Sequence, residues 1–136
     1  MIKVHAYIEV TTAEAGIAFY CDGLGLTVNR RYSERWIELA GANTPVFLLA
    51  DRPVTVDLGD RTTERDYQRH WTPVHLDFIV DDLDAVLARL LDRGGRLDRP
   101  VKLRDYGRIA NMADPFGNGF DLIEFIGGGY DNLPGG

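Results

Sequence analysis

Histidine is the side chain whose ordinary pKa lies nearest neutrality, and two of the three histidines in this chain stand in equivalent places. Sliding the sequence over itself by 70 puts Val4-His5 on Val74-His75, Ile8 on Phe78, Val10 on Val80, Ala15 on Ala85, Ala18 on Ala88 and Gly25 on Gly95, without a gap. An imidazole repeated in this way offers metal ligation or proton transfer. Taken singly, each is equally at home as a half-buried strand residue. The third, His70, lies beside Trp71 in a polar stretch, where it reads either as a surface histidine or as a catalytic acid/base carried on a lid. Glu38, in Trp36-Ile37-Glu38-Leu39, alternates with apolar residues. It is therefore a solvated strand carboxylate, or a catalytic general base or substitute ligand facing a cavity. Tyr7, Trp36, Trp71 and Phe116, with Tyr67 and Tyr106, carry rings that can frame a substrate pocket or fill a core. Cys21 has no neighbour that would activate it and reads as a small buried helix residue.

The elements that must position these groups follow from apolar spacing. Each copy opens on a period-two segment, Val4 to Val10 and Val74 to Val80, with the histidine on the parity opposite the apolar residues. Thr11-Thr12 and Asp81-Asp82 then offer helix caps, and the spacing changes to three and four: Ala15, Ala18, Phe19 in one copy and Leu83, Val86, Leu87, Leu90 in the other. Glycines at Gly23, Gly25, Gly94 and Gly95 close both helices. Three extended segments are expected after each: 26–32, 35–40 and 45–50, then 95–103, 108–113 and 119–125, with Asp114 to Asn118 as a turn. The fold class is thus α+β, two β-α-β-β-β modules at about 3–50 and 73–126 in a single domain spanning 1–136. Between them lies a polar loop, 51–72, and after them a glycine-rich tail, 127–136, expected to be mobile.

Composition narrows the function classes. In 136 residues, 45% hydrophobic and 26% charged, there is room for one ordinary globular core. Acidic residues outnumber basic ones 21 to 15, for a net charge of -6, with no Lys/Arg cluster, so nucleic acid is not an expected partner. No apolar run reaches the roughly 18 residues needed to span a bilayer, and no membrane role is expected. A single cysteine and an amino terminus without a signal-peptide core point to the cytoplasm.

The repeated β-α-β-β-β pattern, a histidine in the first strand of each copy, Phe19-Tyr20-Cys21-Asp22-Gly23-Leu24-Gly25-Leu26 and Asp114-Pro115-Phe116-Gly117-Asn118-Gly119-Phe120-Asp121-Leu122-Ile123-Glu124 together resemble the vicinal oxygen chelate superfamily of glyoxalases, bleomycin resistance proteins and extradiol dioxygenases. The resemblance covers about residues 3–126. It implies curled mixed sheets around a shared cavity with the helices outside, a small-molecule substrate or ligand, and a homodimer. It also implies a ligand from the first and the last strand of each module: His5, His75 and Asp121, holding Fe, Mn, Ni or Zn. Aligning Phe47-Leu48-Leu49 with Phe120-Asp121-Leu122 puts Leu48, a pocket-lining residue in this reading, at the fourth position. Without a carboxylate there, a standard glyoxalase I is not expected. Two functions stay open: a divalent-metal-dependent lyase, isomerase or dioxygenase, and a metal-free protein that sequesters an aromatic or cationic compound.

Overall fold

The computed structural model describes residues 1–135, which fall into two compact units, one running from Met1 to Gln68 and the other from Arg69 onward. In the first unit, β1 (Ala6–Val10) leads to α1 (Ala13–Ile17), then to β2 (Thr27–Ser33), β3 (Trp36–Ala40) and β4 (Val46–Ala50). The sheet order is β1-β4-β3-β2, with β1 and β4 parallel and the other pairs antiparallel. Thr12 caps α1 by accepting from the Ala15 N–H at 3.2 Å, and the helix continues as a π-helical turn over Ala18–Gly23. Phe19 and Tyr20 are buried there, packed edge to face at 4.9 Å. Helix and sheet approach closely at Gly16, where a Cβ would meet the Val10 side chain at 2.9 Å and Leu48 Cδ1 at 3.0 Å.

The second unit repeats the plan. β7 (Leu76–Ile79) leads to α2 (Leu83–Asp92), β8 (Arg96–Leu97), β9 (Lys102–Arg104), β10 (Gly107–Ala113) and β11 (Gly119–Phe125). The order β7-β11-β10-β8, with β9 also on β10, matches β1-β4-β3-β2 once β8 and β9 are read as one interrupted strand. The single strand expected over 95–103 is broken before Pro100, which has no N–H to give a ladder. Asp82 caps α2 through the Ala85 N–H at 3.1 Å, and Glu124 of β11 accepts from the Leu83 N–H at 3.1 Å. The turn at Asp114 is tied by one buried carboxylate, which accepts from Phe116 N at 2.8 Å, Asn118 N at 2.9 Å and Asn118 Nδ2 at 2.9 Å.

Two segments are more ordered than their composition implies. The loop expected over 51–72 contains a hairpin, β5 (Thr55–Asp57) with β6 (Thr62–Glu64), closed by Leu58 N to Arg61 O at 2.8 Å. Arg65 anchors it, donating to Glu9 at 2.6 and 2.8 Å and to the Pro53 carbonyl at 2.7 Å. Within the tail, Gly129–Asn132 forms a 3-10 turn, and residue 136 lies outside the described residues. Asn132 donates to Ile126 O at 2.7 Å and Asp105 O at 3.1 Å, and Tyr130 packs on Phe125 and Tyr106.

Candidate functional site

In the second unit, His75 stands just before β7 and Asp77 two residues further on, so that both side chains leave the same side of the strand. Asp77 pairs with Asp121 across the parallel β7/β11 ladder, and Asp121 pairs with Asn111 across β10/β11. One row of side chains thus crosses three strands. His75 Nε2 is 3.1 Å from Asp77 Oδ1 and 3.3 Å from Asp121 Oδ2. Asn111 Nδ2 donates to the other Asp121 oxygen at 2.7 Å, which fixes that carboxylate. Burial, and then the charge of Asp121 alongside, push the Asp77 carboxyl above its usual range, while His75 draws it back.

His75, Asn111 and Asp121 border a cleft of about 180 Å³, whose other walls include Arg69, Trp71 and Arg99. It is smaller than the roughly 300 Å³ of a drug-sized pocket and suits a compact ligand. Arg69 is held by Asp98 at 3.1 Å and also donates to the His70 carbonyl. Trp71 is 77% exposed at the rim. Of the residues expected at a site, the second unit therefore brings together His75, Asp121 and Trp71. His70 is exposed outside the cleft lining, and Phe116 is buried within the turn that Asp114 ties.

The corresponding row of the first unit is Tyr7, Phe47 and Glu38, by the register of β1, β4 and β3. Here the rings take over. Tyr7 stacks on Phe47 at 4.6 Å, His5 lies 5.1 Å from Phe47, Tyr32 is 6.4 Å from Phe47 and stacks on Trp36 at 4.5 Å. Glu38 accepts from Asn29 and from the Tyr32 hydroxyl at 2.9 Å. Those two hydrogen bonds hold its carboxyl below the ordinary range, which makes it a weaker base.

The register corrects the alignment of Leu48 with Asp121. Tyr7 pairs with Phe47 as Asp77 pairs with Asp121, so Phe47 is the counterpart and Leu48 matches Leu122. Leu48 is fully buried beneath α1 and cannot line a pocket. A shift of one residue along a strand exchanges its faces. The sequence reading also passed over Asp77, although its parity with His75 was visible, and Asn111, which only the ladder places beside Asp121.

A glyoxalase-like domain model matches residues 5–123, and the chain belongs to that family, within the vicinal oxygen chelate superfamily. It is 32% identical over 134 residues to an anthracycline biosynthesis protein of Streptomyces peucetius, covering 96% of this chain and 44% of that protein. A second anthracycline biosynthesis protein, from Streptomyces sp. strain C5, is 31% identical, with 87% and 40% covered. The chain spans less than half the length of these relatives. Among solved structures, a glyoxalase-related enzyme from Fulvimarina pelagi aligns with a TM-score of 0.67 at 21% identity, covering 95% of each chain. A fosfomycin resistance protein from Listeria monocytogenes aligns with a TM-score of 0.67 at 18% identity, over 93% of this chain and 96% of its own. These two likenesses concern the fold. No helix among the described residues is long and apolar enough to cross a membrane.

Proposed function

We propose that the chain is a small-molecule enzyme working through a divalent ion held by His75 and Asp121. Its chemistry is of the lyase, isomerase or dioxygenase kind. The observation that carries this is the pair itself: His75 Nε2 lies 3.3 Å from Asp121 Oδ2, while Asn111 occupies the other oxygen. Two donors bound at about 2.0–2.2 Å to one ion, at angles between octahedral and tetrahedral, stand about 2.8–3.6 Å apart. The pair fits. Bound there, Fe, Mn, Ni or Zn would supply Lewis acidity to two adjacent substrate oxygens. The chain's own part is to fix Asp121 through Asn111 and to bound the cleft with Arg69 and Trp71. Phe47, where a first-module carboxylate would stand, argues against glyoxalase I. Turnover of the hemithioacetal of methylglyoxal and glutathione should stay at background. The deciding experiment is elemental analysis of the native protein before any chelator or added metal, with one equivalent per chain expected and none overturning the reading.

A second reading is favoured by the ring row of the first module. Trp36 and Tyr7 are 40% and 49% exposed at its two ends, and flat aromatic compounds stack on such faces. Two relatives are named for anthracycline biosynthesis, and an anthracycline is a flat polycycle. On this reading the protein holds an aromatic compound without metal, and tryptophan fluorescence should be quenched by a planar hydroxyquinone. Under either reading we propose a homodimer, checked by sedimentation.

A further inference from the structure

We infer that Asp77 is a third ligand of the ion, so that the second module alone supplies a one-sided set of one imidazole and two carboxylates. This rests on the metal reading above. Asp77 faces the same way as His75 because the two are two residues apart, and it stands beside Asp121 because the β7/β11 register pairs them. Two carboxylates directly opposite on adjacent strands repel unless a positive charge lies between them. The set of distances suits such a charge: 3.1 Å from His75 Nε2 to Asp77, 3.3 Å to Asp121, and all three donor atoms within 4.8 Å of one another. Both separations from the imidazole fall in the bite of about 2.8–3.6 Å derived above for a shared ion.

All three donors come from one sheet face, which leaves the opposite side of the ion to substrate oxygens. The side chains of His75 and Asp77 are 46% and 35% exposed, so the position is open to an ion from solvent. In the first module the same two places hold Tyr7 and Phe47, which cannot provide this set. On this inference the site is complete without His5.

The test is calorimetric titration of Mn²⁺ into the full chain after chelator treatment, for wild type, Asp77→Asn and His5→Ala. We expect one ion per chain in wild type, a loss of about 100-fold or more in Asp77→Asn, and a loss under about tenfold in His5→Ala. Thermal unfolding gives a second readout. Without metal, Asp77→Asn should melt no lower than wild type, because the carboxylate repulsion is gone, and saturating Mn²⁺ should raise the midpoints of wild type and His5→Ala but not that of Asp77→Asn. If wild type binds and Asp77→Asn binds within about twofold of it, Asp77 is not a ligand and the His75/Asp121 reading stands. If His5→Ala loses as much as Asp77→Asn, the site is not complete in one module. If wild type binds no ion, the metal reading falls and takes this inference with it.

Discussion

A glutamate at position 48 and a glutamate at position 49 should have very different effects, although the two leucines are neighbours on β4. Leu48 is fully buried between β1, β3 and the Gly16 face of α1. Removing its side chain alone costs about 2–5 kcal/mol. A glutamate there must be kept neutral, and at pH 7 that adds about 1.4 kcal/mol for each unit above an ordinary pKa of about 4.3, or about 3.7 kcal/mol. The sum, about 6–9 kcal/mol, rivals the whole stability of a domain, about 5–15 kcal/mol. Leu49 is half-exposed on the face shared with Phe47, opposite Trp36 and Glu9. Glu9 is already paired with Arg65, so Leu49→Glu should cost about 1–2 kcal/mol. Urea denaturation followed by circular dichroism measures both. Leu48→Glu should be unfolded or nearly so in water, and Leu49→Glu should unfold cooperatively at a slightly lower midpoint. The reverse ranking would mean that the pleat is one residue out of register and that Leu48, after all, faces the ligand side.

Two further outcomes test the frame around the site. Gly107 has φ of 150° and lies opposite Phe125, where a Cβ would collide with the Glu124 carbonyl oxygen and come within 2.9 Å of Phe125 Cα. Gly107→Ala should therefore cost about 3 kcal/mol in urea denaturation, and a loss below about 0.5 kcal/mol would refute the assignment. The Arg65 hydrogen bond holds the Glu9 carboxyl below its ordinary pKa. The stability this pair contributes is present above the ordinary carboxylate pKa and is lost as pH falls through the depressed one. The gap in urea midpoint between wild type and Arg65→Met should thus shrink as pH falls below the ordinary glutamate pKa of about 4.3, and a gap independent of pH would show that Glu9 does not contribute through its charge.

The order of elements was legible because apolar spacing changes period where the structure changes type. Ile8 and Val10 alternate in β1, while Leu83, Val86 and Leu90 follow the helical period in α2, and these residues are buried. Thr12 and Asp82 were recognisable as caps for the same local reason. The face of β4 was not legible. Val46-Phe47-Leu48-Leu49-Ala50 is apolar throughout, so no alternation reveals which side chains turn inward. Nor does the repeat settle it: His5 to His75 is a step of 70, but Phe47 to Asp121 is a step of 74, because the second module has a longer β9–β10 hairpin and a longer β10–β11 turn than β2–β3 and β3–β4. A cross-strand partner such as Asn111 depends on ladder register, which has no local signature.

One edge of the first sheet has a consequence beyond the site. β2 is bonded on one side only, all seven of its residues are exposed, and its pairing with β3 slips twice, between Val28 and Arg30 and between Arg31 and Ser33. A straight, apolar border strand is a template on which another chain can add and from which fibrils grow. Here the two slips twist the border, and Arg30 and Arg31 place charge along it. Any incoming strand must match the kinks beside two guanidinium groups, so this border is a poor template for copies of the chain stacking edge to edge.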